Sequence, residues 1–245
     1  MLNVTIFNEF IHERRDELPR KIYPNGIHSV LADFIKEDDI CVRIATLDMP
    51  EHGLTQDVLD NTDVLVWWAH CAHDQLSDEI ANRVHERILR GMGFVALHSS
   101  HYAKPFRMLM GTTCNLSWRD DDRARVWCVN PYHPIAQGLP ASFDIETEEM
   151  YGEYFDVPAP DELVFLIWYA GGELFRGGMT YKRGYGKIFF FSPGHEEYPV
   201  YYNENIQKVI KNAVRWAAPS ITKEGVWDSP HAKISAEQMR KENKQ

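Results

Sequence analysis

The stretch Phe94–His101, FVALHSSH, decides the fold. An apolar run stops abruptly at a histidine, with two serines and a second histidine behind it. Such a run fits a strand covered on both faces, as in a parallel sheet. Open parallel sheets bind ligands beyond the carboxyl ends of their strands, which is where His98 falls. Val4–Phe7, Cys41–Ala45 and Val64–Trp68 share this near-continuous apolar character. Between them, LSDEIANRVHERILRGMG (76–93) has helical spacing. Ser77 is its N-cap, Asp78 and Glu79 suit the positive helix end, and Ile80, Val84 and Ile88 recur every four residues before Arg90 and Gly91 close it. Strand alternating with helix predicts an α/β fold of three layers, doubly wound around a mostly parallel sheet with right-handed crossovers.

From about Arg123 to Tyr181 the chain is rich in Pro and Gly, with apolar runs RVWCV and LVFLIWY. These read as a β-rich extension, partly antiparallel. The parallel pattern resumes with KIFFFSPGH (187–195) and a helix over Val200–Ala217. Residues 1–219 are thus expected to form one α/β domain. Residues 220–245 are a polar C-terminal tail, a surface arm or a contact to a neighbouring subunit, which makes a homo-oligomer the expectation.

The formal net charge of −10 leaves no basic block to neutralise phosphates, so no nucleic-acid partner is expected, and no anionic membrane surface either. No apolar stretch reaches the roughly 20 residues a bilayer requires, and the first residues lack the pattern of a signal peptide. Cys41, Cys71, Cys114 and Cys128 are scattered, without a C-x-x-C pair, which predicts free thiols in a cytoplasmic protein.

The strand ends nominate the site. The first strand delivers Asn8 and Glu9. Val64–Trp68 delivers His70, with Cys71 and His73 behind it. Phe94–Leu97 delivers His98, Ser99 and His101, and Ile188–Phe191 delivers His195, Glu196 and Glu197. Imidazole exchanges a proton near neutral pH and ligates metals when neutral. His98 and His195 are therefore candidate catalytic groups, and a Glu197 carboxylate on His195 would fix its tautomer. His70, His98, His195 and Glu149 form a candidate set for a divalent metal, zinc first among them. Glu9, Tyr151 and Trp68 are candidate substrate contacts. His12, His28, His52, His85 and His231 are expected on the surface, and His73, His101 and His133 as solvated loop residues. Cys71 is expected to be a plain thiol, with a nucleophile as the alternative.

Two longer blocks carry a resemblance. NPYHPIAQGLPASFDIETEEMYGEY (130–154) and GGMTYKRGYGKIFFFSPGHEEY (177–198) resemble the trehalose-utilisation (ThuA-like) family, over roughly residues 1–217. That family is similar in fold to class I glutamine amidotransferases and flavodoxin-like proteins. Amidotransferases carry a Gly-x-Cys-x-Gly elbow and a later His-x-Glu. Here the elbow reads Ala96-Leu97-His98-Ser99-Ser100 and the later motif His195-Glu196-Glu197. The resemblance implies a protein of carbohydrate use acting on a small sugar or keto-sugar. With imidazole in the thiolate's place, glutaminase activity is not expected. A metal-assisted hydrolase or isomerase is one expectation, and a non-catalytic sugar-binding or regulatory protein the other.

Overall fold

The computed structural model describes residues 1–220 and 232–243. Among them the strands are β1 (Leu2–Asn8), β2 (Ile40–Thr46), β3 (Val64–Trp68), β4 (Gly93–Leu97), β5 (Ser117–Cys128), β6 (Ser142–Gly152), β7 (Glu162–Tyr169), β8 (Leu174–Arg183) and β9 (Gly186–Phe191). The helices are α1 (His12–Arg15), α2 (Glu17–Ile22), α3 (Ile27–Ile35), α4 (Gln56–Asp60), α5 (Asp78–Leu89), α6 (Lys104–Met110), α7 (Glu204–Ala217) and α8 (Ala236–Glu242).

All nine strands join one sheet in the order β2-β1-β3-β4-β9-β8-β7-β5-β6. The first five pair in parallel. The other four continue the sheet in antiparallel pairings, which is the expected β-rich extension. Every residue of β3 and β4 is buried, as strands covered on both faces must be. Alternation along the strands assigns the layers. Gly93 lies so close to α7 that a Cβ would come 2.3 Å from the Ala217 carbonyl oxygen. The opposite parity carries Gly186 against Ile88 of α5 and Phe190 against Phe106 of α6. One face is thus covered by α3 and α7, the other by α5 and α6.

Helix α5 begins as its sequence predicts, with the Ser77 hydroxyl accepting the Ile80 N–H. Helix α7 begins later than expected. Val200–Tyr202 is a separate 3-10 turn after Pro199, and the Asn203 side chain caps the helix by accepting from Asn205 and Ile206 N–H. Part of the tail, including His231, lies outside the described residues. Its described part contains α8, with a reciprocal Ser235–Gln238 capping box. No described helix is long and apolar enough to cross a membrane.

Phe190 is fully buried and packs against Phe106 and Phe155 at 5.6 and 5.3 Å between ring centroids. Phe190→Ala should lower the unfolding free energy by about 3–5 kcal/mol, read as a lower urea midpoint at unchanged slope.

Candidate functional site

The site is built where β1, β3, β4 and β9 end. His98 follows β4 directly and adopts φ +54°, left-handed backbone that side chains other than glycine rarely take. This sharp turn places the ring beyond the end of the strand, where it is fully buried. Its Nδ1 lies 3.0 Å from the Ser192 carbonyl oxygen, so Nδ1–H donates and Nε2 faces Glu149. The turn after β9 passes close by. Gly194 has φ +146°, and a Cβ there would fall 2.0 Å from the Tyr201 hydroxyl and 3.3 Å from His98 Cβ. Glycine is therefore required to carry His195 past the elbow.

Three imidazoles meet at this point. Ring centroids are 5.6 Å apart for His70 and His98, 5.2 Å for His70 and His195, and 5.3 Å for His98 and His195. Together with Glu196 they offer ligand atoms that all lie within 4.8 Å of one another. Glu149 approaches from the far end of the sheet. The antiparallel extension curls so that β6 packs near β8, with Tyr151 against Phe175. That brings Glu148, Glu149 and Tyr151 onto the strand ends. Glu149 Oε2 sits 3.2 Å from His98 Nε2 and Tyr151 stacks on the His98 ring at 5.2 Å. The Tyr151 hydroxyl lies 2.7 Å from Ser99 Oγ and 3.4 Å from His98 Nε2. A cleft of about 450 Å³ opens above, lined by His70, His195, Glu149 and Tyr151, with Trp118 and Tyr102 at its mouth.

Charge is divided sharply here. Burial opposes a charged His98, but the adjacent Glu149 carboxylate outweighs it and holds the pKa up at about 9. Burial and then the positive His98 bring His195 down to about 4. Burial would raise Glu196 as well, yet its bond to His70 holds it down at about 2. A charged imidazole thus faces a neutral one. Glu149 Oε2 is within ion-pair distance of His98 but outside hydrogen-bond geometry, so this buried oxygen has no hydrogen-bond partner. A neutral His98 would turn a lone pair toward that carboxylate, so the position calls for a proton or a cation.

Several sequence expectations need correction. Glu197 is exposed, and it meets His195 through its backbone N–H, 3.2 Å from Nδ1, rather than through its carboxylate. That contact favours the tautomer with the proton on Nε2, so His195 has a ligand's position but a donor's protonation. The inward carboxylate is its neighbour Glu196, 2.8 Å from His70 Nδ1. Trp68 is fully buried and holds the turn by donating its indole N–H to the Gly194 carbonyl, so it offers the cleft no surface. Glu9 accepts the backbone N–H of Cys71 and Ala72 with its two oxygens and does not line the main cleft. His28, His101 and His133 are buried rather than solvated. His12 lies against the site, its ring stacked on His70 at 5.0 Å. Burial, then Glu9, pushes the Cys71 thiol up to about 12, which disfavours a thiolate nucleophile.

Glu148 was the residue least visible beforehand. It is wholly buried and accepts N–H groups from Glu149, Gly194 and His195 at 2.9, 2.8 and 3.2 Å. Burial raises its pKa to about 7 despite these bonds.

Residues 3–217 match the family described as ThuA, trehalose utilisation. The chain belongs to that family. Its fold matches a protein of Parabacteroides merdae described as ThuA-like, at 16% identity over 92% of each chain and a TM-score of 0.67. A ThuA-like protein of Bacteroides uniformis matches at 16% identity, covering 88% of this chain and 91% of that one, with a TM-score of 0.64. A cytoplasmic protein of Salmonella typhimurium LT2 matches at 12% identity, 89% of this chain and all of that one, with a TM-score of 0.58. At these identities the likeness concerns fold. A comparison with curated proteins found no match.

The raised His98 pKa sets a pH dependence. The ring's folded pKa of about 9 lies above its ordinary 6.5, so its protonation stabilises the fold fully below 6.5 and the contribution is lost as pH rises through 9. The full shift corresponds to on the order of 3 kcal/mol. Urea unfolding of chelator-treated protein should show this decline between pH 6.5 and 9. The decline should flatten in H98N, and an equally steep decline there would show that other groups cause it.

Proposed function

We propose that this chain acts on trehalose or a related disaccharide, or its keto derivative, at the histidine cleft in the cytoplasm, with a bound divalent cation, zinc by preference. His70 and His98 would be the imidazole ligands, flanked by the Glu149 and Glu196 carboxylates. The observation that carries this reading is the cluster of His70, His98, His195 and Glu196, whose ligand atoms all lie within 4.8 Å of one another. Second partners strengthen it. The Ser192 carbonyl orients His98 and the Glu196 carboxylate orients His70, each through Nδ1, the arrangement metal-binding histidines commonly have. His195, neutral and carrying its proton on Nε2, is the candidate hydrogen-bond donor that polarises a sugar oxygen. Tyr151 positions both the His98 ring and Ser99. A bound zinc would polarise a carbonyl or a water.

The mouth of the cleft also fits a sugar-binding protein without turnover. Trp118 is 63% exposed and Tyr102 41% exposed, and aromatic faces of this kind stack on sugar rings.

Protein purified without added metal should hold about one transition-metal equivalent dependent on His98, and less than about 0.2 equivalents in wild type would overturn the cation. With trehalose and keto-disaccharide candidates followed by NMR, H195Q should lower kcat by about 10²–10⁴-fold with affinity retained. Lost affinity, with no turnover in wild type, would establish the binding reading instead.

A further inference from the structure

Glu196 does more than orient His70. Its Oε1, itself 2.9 Å from His70 Nδ1, also lies 3.3 Å from Nδ1 of His12. Asp16 Oδ2 approaches the same Nδ1 at 3.0 Å, and an Arg15 Nη2 lies 3.3 Å away. Two carboxylates at that nitrogen favour Nδ1–H as donor, and Arg15 is itself engaged by Asp16. The ring therefore keeps its lone pair on Nε2. That atom is buried and has no hydrogen-bond partner. Buried imidazole nitrogens are rarely left so, and each one calls for an explanation.

Near His12 stand Cys71, a free cysteine open to solvent, and Glu9. His12, Glu9 and Cys71 offer ligand atoms within 4.8 Å of one another. The Glu9 carboxylate already fixes the Cys71 and Ala72 backbone, which sets where the thiol stands, and each of its oxygens keeps a second lone pair. Glu196 thus serves two histidines whose rings stack at 5.0 Å, His70 belonging to the cleft and His12 to this second group.

We propose that His12, Cys71 and Glu9 form a second cation site, selective for a thiophilic divalent metal such as zinc, with water completing the coordination and Glu196 linking it to the cleft. The thiolate and imidazole make the set soft, which favours zinc or cobalt over magnesium or calcium. Binding transfers the Cys71 thiol proton to solvent, with no change in oxidation state. The site stands whether or not the cleft holds a cation.

The test is titration of chelator-treated full-length protein with cobalt(II), followed by absorption. A thiolate-to-cobalt charge-transfer band in the near ultraviolet is expected in wild type, retained in H98A, abolished in C71S and weakened at least tenfold in apparent affinity in H12N. Zinc should displace the cobalt and protect Cys71 from alkylation. Absence of the band in wild type, or its persistence in C71S, would overturn the second site. Loss of the band in H98A but not in C71S would assign the cobalt to the cleft and also overturn it.

Discussion

The site depends on one buried carboxylate. Glu148 belongs to β6, the last strand of the antiparallel extension, yet it accepts the N–H groups of Gly194 and His195 beyond β9. These two parts of the sheet are separated by β8, β7 and β5 in the pairing order. A carboxylate with no exposure has to be satisfied by fixed donors, and the three backbone N–H groups around it do this. The cost of breaking those bonds holds the curled extension over the strand ends. Without that closure, Glu149 and Tyr151 would not reach His98.

The second constraint is the elbow. His98 holds a left-handed backbone that costs on the order of 1–3 kcal/mol, and the structure around it fixes that conformation. The Ser192 carbonyl takes Nδ1–H, Tyr151 covers the ring face and the bare Cα of Gly194 leaves room beside Cβ. The ring consequently has one orientation, with Nε2 facing Glu149. A polar group so constrained is preorganised for a ligand or a proton and needs little rearrangement when either arrives.

Much of the fold was legible in the sequence because its signals are local. Val64–Trp68 matches β3 residue for residue, and α5 starts at the Ser77 cap. The strand-end rule led to His70, His98 and His195, since a parallel strand places its next residues at the ligand edge. It could not choose between Glu196 and Glu197. Past the end of a strand no periodicity remains, and the turn alone decides which of two neighbouring carboxylates points inward. Trp68 misled for a related reason, because the last residue of a central strand can still face a helix layer. Glu148 and Glu149 are both buried although strands alternate, since β6 is covered on both sides where it curls. Such burial follows from contacts distant in sequence, which composition and spacing do not record. His12 was hidden in the same way, on a four-residue helix with no apolar pattern.

The histidine at the elbow also limits the chemistry. An acyl-transfer elbow needs a nucleophile that attacks and then leaves, a role suited to a thiolate with a lowered pKa. His98 is instead drawn toward permanent charge by Glu149, and a protonated imidazole has no lone pair for attack. Nor can Cys71 replace it, since burial and Glu9 push its thiol the other way. What remains is a charged imidazole beside a neutral one, His98 beside His195. That pair favours proton transfer and polarisation of an oxygen over covalent attack.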